Sequence, residues 1–267
     1  MDKNKYIKSI NDKDFVPGIY NYCDRWCEKC PLTHKCASYY ISNKLFIEKI
    51  KDDGTNDFVA EIEKVLNITK KILEDTIKDL NIDMDIDEMD MENIPEIDDM
   101  AGFPDNLIYP ENIKSEMIQL ALDNIDTTNN WMYQIDPEVM EKEKEFERIK
   151  EMNIESGKTV KEFKEMMDAF DIIEWYQVLI LNKLNIALYD KKHIKYEKDE
   201  LIPYNGYAKV ALIGIEKSIE AWQNLMSIFP DAEDSIFEQL IDLKKLKNKV
   251  LETFPDAEKF KRPGFDD

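Results

Sequence analysis

Cys23, Cys27, Cys30 and Cys36 are the only cysteines of a 267-residue chain, and they fall in one run, YCDRWCEKCPLTHKC. Thiolates are soft ligands suited to zinc and to iron–sulfur clusters. Four of them, with none to spare, match the ligand number of either an all-cysteine zinc site or a cubane cluster. The spacing is C-x3-C-x2-C-x5-C. Structural zinc sites usually take two close cysteine pairs from segments separated by a longer loop, so that two stretches of chain clamp the ion. Here the intervals are short and the ligands consecutive, as where one loop wraps a cluster. Cys30-Pro31 also matches the Cys-Pro step of ferredoxins.

The spacing therefore predicts a [4Fe–4S] cluster on these four residues, used for electron transfer or redox sensing. A structural four-cysteine zinc site, on an acidic helical module that binds other proteins, is the alternative. Arg25, Lys29 and Lys35 would offset the negative charge of such a centre, and Tyr20, Tyr22, Trp26, Tyr39 and Tyr40 would shield it from water. His34, inside the run, is an alternative ligand by type and a loop residue by default. Cys23-x3-Cys27-x2-Cys30 is also the spacing of radical S-adenosylmethionine enzymes. That reading fails, because Lys29 stands where those enzymes place an aromatic residue and a fourth cysteine would close the open iron. Those enzymes also need a β/α barrel, and this chain is helical and glycine-poor.

The segments PGIYNYCDRWCEKCP and FPDAEKFKRPGFDD together resemble a family of uncharacterised bacterial helical proteins with an N-terminal four-cysteine segment. Pro17–Cys36 and Arg262–Phe265 carry the likeness. It implies that the two ends of the chain belong to one architecture, and no activity follows from it.

The elements that must position the cysteines are helices. Seven glycines and ten prolines are too few for the frequent turns of an all-β chain. Residues 1–40 lack a helical period and are expected to be an irregular metal-binding segment, ahead of a helical domain over 41–267 that opens with a short helix near 40–52. Within it, Val59, Ile62, Leu66, Leu73 and Leu80 keep a 3.6-residue period. Residues 81–105 carry ten acids and no Lys or Arg, which suits an acidic linker or a partner-binding segment. Asp83, Asp85 and Asp87 approach a calcium loop, but Glu88 and Ile94 stand where Gly and Glu are required.

Pro110 and Pro137 are expected to open separate helices over 110–126 and 137–153. Thr159-x-x-Glu162 reads as a capping box for a long helix to about Asp190. Its part over 172–189 is apolar nearly all round and hence central, interrupted by Asn182, Lys183 and Asn185. A helix over 206–228 presents Ala211, Gly214, Ser218 and Ala221 on one face, and another follows Phe229-Pro230-Asp231. FPDAE occurs at 229–233 and again at 254–258, read as a reused stop signal. The expected fold is all-α: an antiparallel bundle of six or seven helices with the cysteine segment appended.

The remaining chemistry is thin. A carboxylate di-iron site needs two Glu-x-x-His motifs, and neither His34 nor His193 follows a Glu by three. Asp168, Asp171, Glu174 and Gln177 form a stripe, as do Glu216 and Glu220. Facing each other they would make a polar pocket, and facing water they are solvated charges. No nucleophile motif or phosphate loop is present, which leaves enzymatic activity without support. Fifty-seven acids against thirty-six bases give a formal charge of −21. Nucleic acid is thereby disfavoured as a partner, and so are anionic membrane surfaces; the acidic balance favours solubility or a basic protein partner. The first fifteen residues have no apolar stretch of the signal-peptide type. A reducing cytoplasm is the expected location, where clustered thiols bind metal rather than pair.

Overall fold

The computed structural model describes residues 14–40, 42–43, 108–152, 157–195 and 202–266. The chain divides into two compact units, one of Met1–Tyr39 with Asp105–Asp267 and one of Tyr40–Pro104. The second unit lies almost wholly outside the described residues, and with it the expected helix over 57–80, the acidic segment and the near-calcium loop. The described residues are mostly helical and contain no strand.

In the first unit four helices follow the cysteine segment: α1 (Glu116–Glu151), α2 (Lys158–His193), α3 (Pro203–Ile228) and α4 (Glu233–Thr253). Two helices are expected over 110–153, and one is found. Pro110–Asn112 is a single 3-10 turn, and α1 then runs 36 residues through Pro137. A proline inside a helix removes one backbone bond, freeing the carbonyl four residues earlier. Here that residue is Tyr133, 84% exposed, so the break falls on the watered face and the helix survives it. The capping box does not form either. Gly157, in extended conformation, precedes a helix that already begins at Lys158, which places Thr159 inside the first turn.

The central helix behaves as its apolar circumference requires. Ile180, Leu181, Lys183, Leu184, Asn185, Ala187 and Leu188 of α2 are all buried. Its main neighbour is α3, whose small residues let the backbones approach. A β-carbon at Gly214 would lie 2.9 Å from Tyr176 Cδ1 and 3.0 Å from Ile180 Cγ1. Tyr176 lies beside Gly214 and Lys217, while Lys183 lies beside Tyr207, so the two helices run antiparallel. Trp131 of α1 stands edge-on to Trp222 of α3, with ring centres 4.7 Å apart, and closes the opposite end of the core.

The two FPDAE copies adopt one geometry. Phe229 and Phe254 are buried to 1% and 0% exposure with φ/ψ of −120/71 and −129/71. Each aromatic ring plugs the end of a helix while the proline prevents its continuation.

The polar interruptions of α2 are tethers. Asn185 accepts the Tyr109 N–H (3.2 Å) and the Asn112 side-chain amide (2.8 Å), fixing the chain that enters α1. Lys183 holds the cysteine segment. Beside it, buried Tyr22 fills the space over Gly206 of α3, where a β-carbon would meet Tyr22 Cε1 at 2.4 Å and Phe260 Cζ at 2.7 Å. In an unhindered helix Gly→Ala would stabilise by about 1 kcal/mol. Gly206→Ala is expected instead to lower the unfolding free energy by about 1–3 kcal/mol through overpacking, and urea titration measures it.

Candidate metal centre

Residues 14–36 fold as linked 3-10 turns, Ile19–Asn21, Cys27–Lys29 and Thr33–Lys35, closed by a bond from the Val16 N–H to the Lys35 carbonyl (3.0 Å). Residues 37–40 are helical. Gly18 (φ 72) and Arg25 (φ 58) supply the left-handed bends, and Arg25 carries a steric cost there that glycine would avoid. The result brings Cys23, Cys27, Cys30 and Cys36 onto one cavity of about 310 Å³, counting its open mouth. All four are free thiols. Tyr20, Trp26, Leu32, Tyr39 and Phe265 complete the wall.

Backbone amides point at the sulfurs. Leu32 N–H donates to Cys30 Sγ and Tyr39 N–H to Cys36 Sγ, both at 3.4 Å. The Arg25 amide hydrogen-bonds the Cys23 sulfur and favours its thiolate. Burial works the other way and raises the Cys23 pKa. Cys27 is raised too, by burial first and then by the Cys23, Cys36 and Cys30 sulfurs around it. Four thiolates cannot share this space without a cation. Metal-free, Cys23 and Cys27 are thereby biased toward the thiol, and Cys23 donates its proton to the Tyr20 carbonyl at 3.5 Å. This donor set fits a centre that displaces protons and carries positive charge. Zinc, at ~2.3 Å from each sulfur, would draw the sulfurs to roughly 3.8 Å of one another. Among the described residues no three His, Cys, Asp or Glu side chains form a single-ion group. A cubane is wider than a single ion and takes one thiolate at each iron corner.

Beneath the loop lies a residue that the spacing of the cysteines does not reveal. Lys183 of α2 is 6% exposed. Its Nζ donates to the Asn21 carbonyl at 2.7 Å and sits 5.4 Å from the Tyr207 ring centre. Burial lowers its pKa to about 8, while the Cys23 sulfur pulls it back up. The signal was legible as a lone cation in a helix apolar on every side: such a helix offers the side chain no route to water.

The loop is clamped on α2 through Asp24. The Tyr176 hydroxyl donates to Asp24 Oδ2 (2.6 Å) and Trp175 Nε1–H to the Asp24 carbonyl (2.9 Å). The rings of Trp26 and Trp175 stack at 5.2 Å. The C-terminal tail closes the other side. A β-carbon on Gly264 would lie 3.2 Å from Ile19 Cδ1 and 3.3 Å from Val16 Cγ1. Asp266 fixes that tail, since contacts from Arg262 and Lys209 hold its carboxyl well below the usual carboxylate range.

Several expected roles are redistributed. Tyr22 anchors the segment in the helical core instead of shielding the sulfurs. Lys29 lies 3.7 Å from Asp168 and 4.0 Å from the Trp26 ring centre. His34 is exposed and away from the cavity wall. Asp168, Asp171, Glu174, Glu216 and Glu220 are all exposed, so the carboxylate stripes do not enclose a polar pocket.

Lys183 makes a prediction about the metal-free protein. Its folded pKa of about 8 lies below the ordinary 10.5. Between those values the unfolded chain binds more protons, so this residue's contribution to stability rises as pH rises through the window. Metal-free protein should therefore gain up to about 3 kcal/mol relative to Lys183→Met between pH 8 and pH 10.5. Denaturant unfolding of both at several pH values reads the difference directly.

Comparison of the chain with family models, with curated proteins and with solved structures finds no match.

Proposed function

We propose that the protein carries a [4Fe–4S] cluster on Cys23, Cys27, Cys30 and Cys36 and serves in electron transfer or redox sensing. The observation that carries this reading is the convergence of all four thiols on one cavity. When bound, the cluster supplies a one-electron redox couple on a four-thiolate, negatively charged site.

The chain's own residues then have defined work. The four thiols give up their protons on loading, which the three backbone amides and the Lys183 ammonium favour. The same donors and the same cation stabilise the more negative, reduced state and so raise the potential. Tyr20, Trp26, Tyr39 and Phe265 keep water from the sulfurs. Asp24 holds the loop in register on α2, so that electron gain requires little rearrangement.

The wider reading is an antiparallel bundle of six or seven helices that supports the cysteine segment in the cytoplasm and docks a protein partner. The four described helices and the acidic charge support it. No described helix is long and apolar enough to cross a membrane.

Anaerobic loading with ferrous iron and sulfide should give a brown protein with about four iron and four sulfide per chain. Cys27→Ser should lose the visible absorbance. A colourless protein that takes up one zinc and refuses iron contradicts the reading and favours a structural zinc site. In the iron-loaded protein, Lys183→Met should make the potential more negative by on the order of 100 mV, the value of one charge at close range. Protein-film voltammetry measures it.

A further inference from the structure

Every described residue on the wall of the cysteine cavity falls between Ile19 and Tyr39 except Phe265. That ring belongs to the turn Arg262–Asp266, whose Phe265 and Asp266 amides both bond back to the Arg262 carbonyl at 3.1 Å. We propose that this turn is a hinged cover on the cavity, caught shut by the ion pairs of Asp266, and that its opening sets how readily metal and other thiol-seeking reagents reach the four cysteines.

The hinge follows from where the tail is anchored. Phe260 is buried and packs against Tyr22 and over Gly206, so the chain up to that point belongs to the helical core. Beyond it no described residue is fully buried. The turn is held by polar contacts instead. Asp266 accepts from the Arg262 guanidinium at 2.9 and 3.0 Å and from the Arg262 N–H at 3.0 Å. Its pair with Lys209 at 2.8 Å ties the turn to α3. A segment with few buried apolar groups opens at a lower free energy than the whole fold. What recloses it is apolar. Gly264 lies against Ile19 and Val16, and Ile19, 2% exposed, would meet water if the turn lifted. The other fastenings of the cysteine loop, Asp24 on α2 and Tyr22 over Gly206, do not pass through the turn. The cavity can therefore open on this side while the loop stays attached to the helices. Opening itself needs no metal. Its consequence for the centre rests on the four-cysteine reading.

The probe is dithiodipyridine, an uncharged aromatic disulfide, reacted with the metal-free full chain while the released thiopyridone is followed by absorbance. Asp266→Asn should speed the reaction of the cysteines about tenfold and keep the unfolding temperature of the parent. Phe265→Ala, which leaves the ion pairs in place, should give a similar acceleration, and it decides the test if Asp266→Asn unfolds at a lower temperature. Lys245→Met, which breaks the pair with Asp242 on α4, should change nothing. Equal rates in the parent and both tail variants, or the same acceleration in Lys245→Met, would overturn the cover. Acceleration in Phe265→Ala alone, with Asp266→Asn folded as the parent, would overturn the ion pairs as its catch. In iron-loaded protein a chelator should bleach Asp266→Asn about tenfold faster than the parent, and equal bleaching would overturn the control of metal access. Faster thiol reaction in a chain that takes up no iron would retain the cover and remove only the four-cysteine reading.

Discussion

An ammonium ion taken out of water is costly unless negative charge stands beside it. Lys183 is in that position, sealed under the cysteine loop with the Asn21 carbonyl as its only hydrogen-bond acceptor among the described residues. A carbonyl dipole is a poor match for a full charge, and the lowered pKa records the mismatch. The Cys23 sulfur, as a thiolate, is the nearby group that offsets it most, with a smaller pull from the Asp24 carboxylate. The thiols have the complementary difficulty. Burial and mutual repulsion hold Cys27 protonated. The proposed metal–thiolate centre would remove both problems at once, since the sulfurs that hold it would be thiolates whose repulsion the metal cancels.

The rest of the fold can be understood as keeping that arrangement rigid. Each side of the cysteine loop is fastened to a different element. Asp24 and Trp26 bind it to α2, Tyr22 sinks over Gly206 of α3, and the C-terminal tail packs its Gly264 against Ile19 and Val16. These contacts join residues roughly 150 to 250 positions apart in sequence. A short loop with little regular structure could not hold four sulfurs around one space by itself, since its conformational entropy would disperse them. The central helix serves as the fixed frame: its two buried polar residues, Lys183 and Asn185, each tie down a non-helical strip of chain.

The spacing of the cysteines was enough to anticipate that one short loop would bring all four onto one hollow, because intervals of two to five residues keep them local. The helical class was equally legible, since the apolar period and the scarcity of glycine act over short windows. Errors arose where a local rule met a tertiary outcome. Pro137 reads as a helix start, but its missing bond falls on a watered face and the helix continues through it. Thr159 reads as a cap, but Gly157 starts the helix first. Lys183 was noted only as an interruption of an apolar run; its meaning depends on what lies above it, which periodicity does not contain. Phe265 joined the cavity wall by a contact no pattern within the tail would disclose.

Iron K-edge X-ray absorption on anaerobically loaded protein tests most directly whether the four sulfurs share one polynuclear centre. The account predicts iron coordinated by sulfur alone, with a second scattering shell from neighbouring iron that disappears in Cys27→Ser. Iron surrounded by oxygen and nitrogen, without an iron–iron shell, would contradict it.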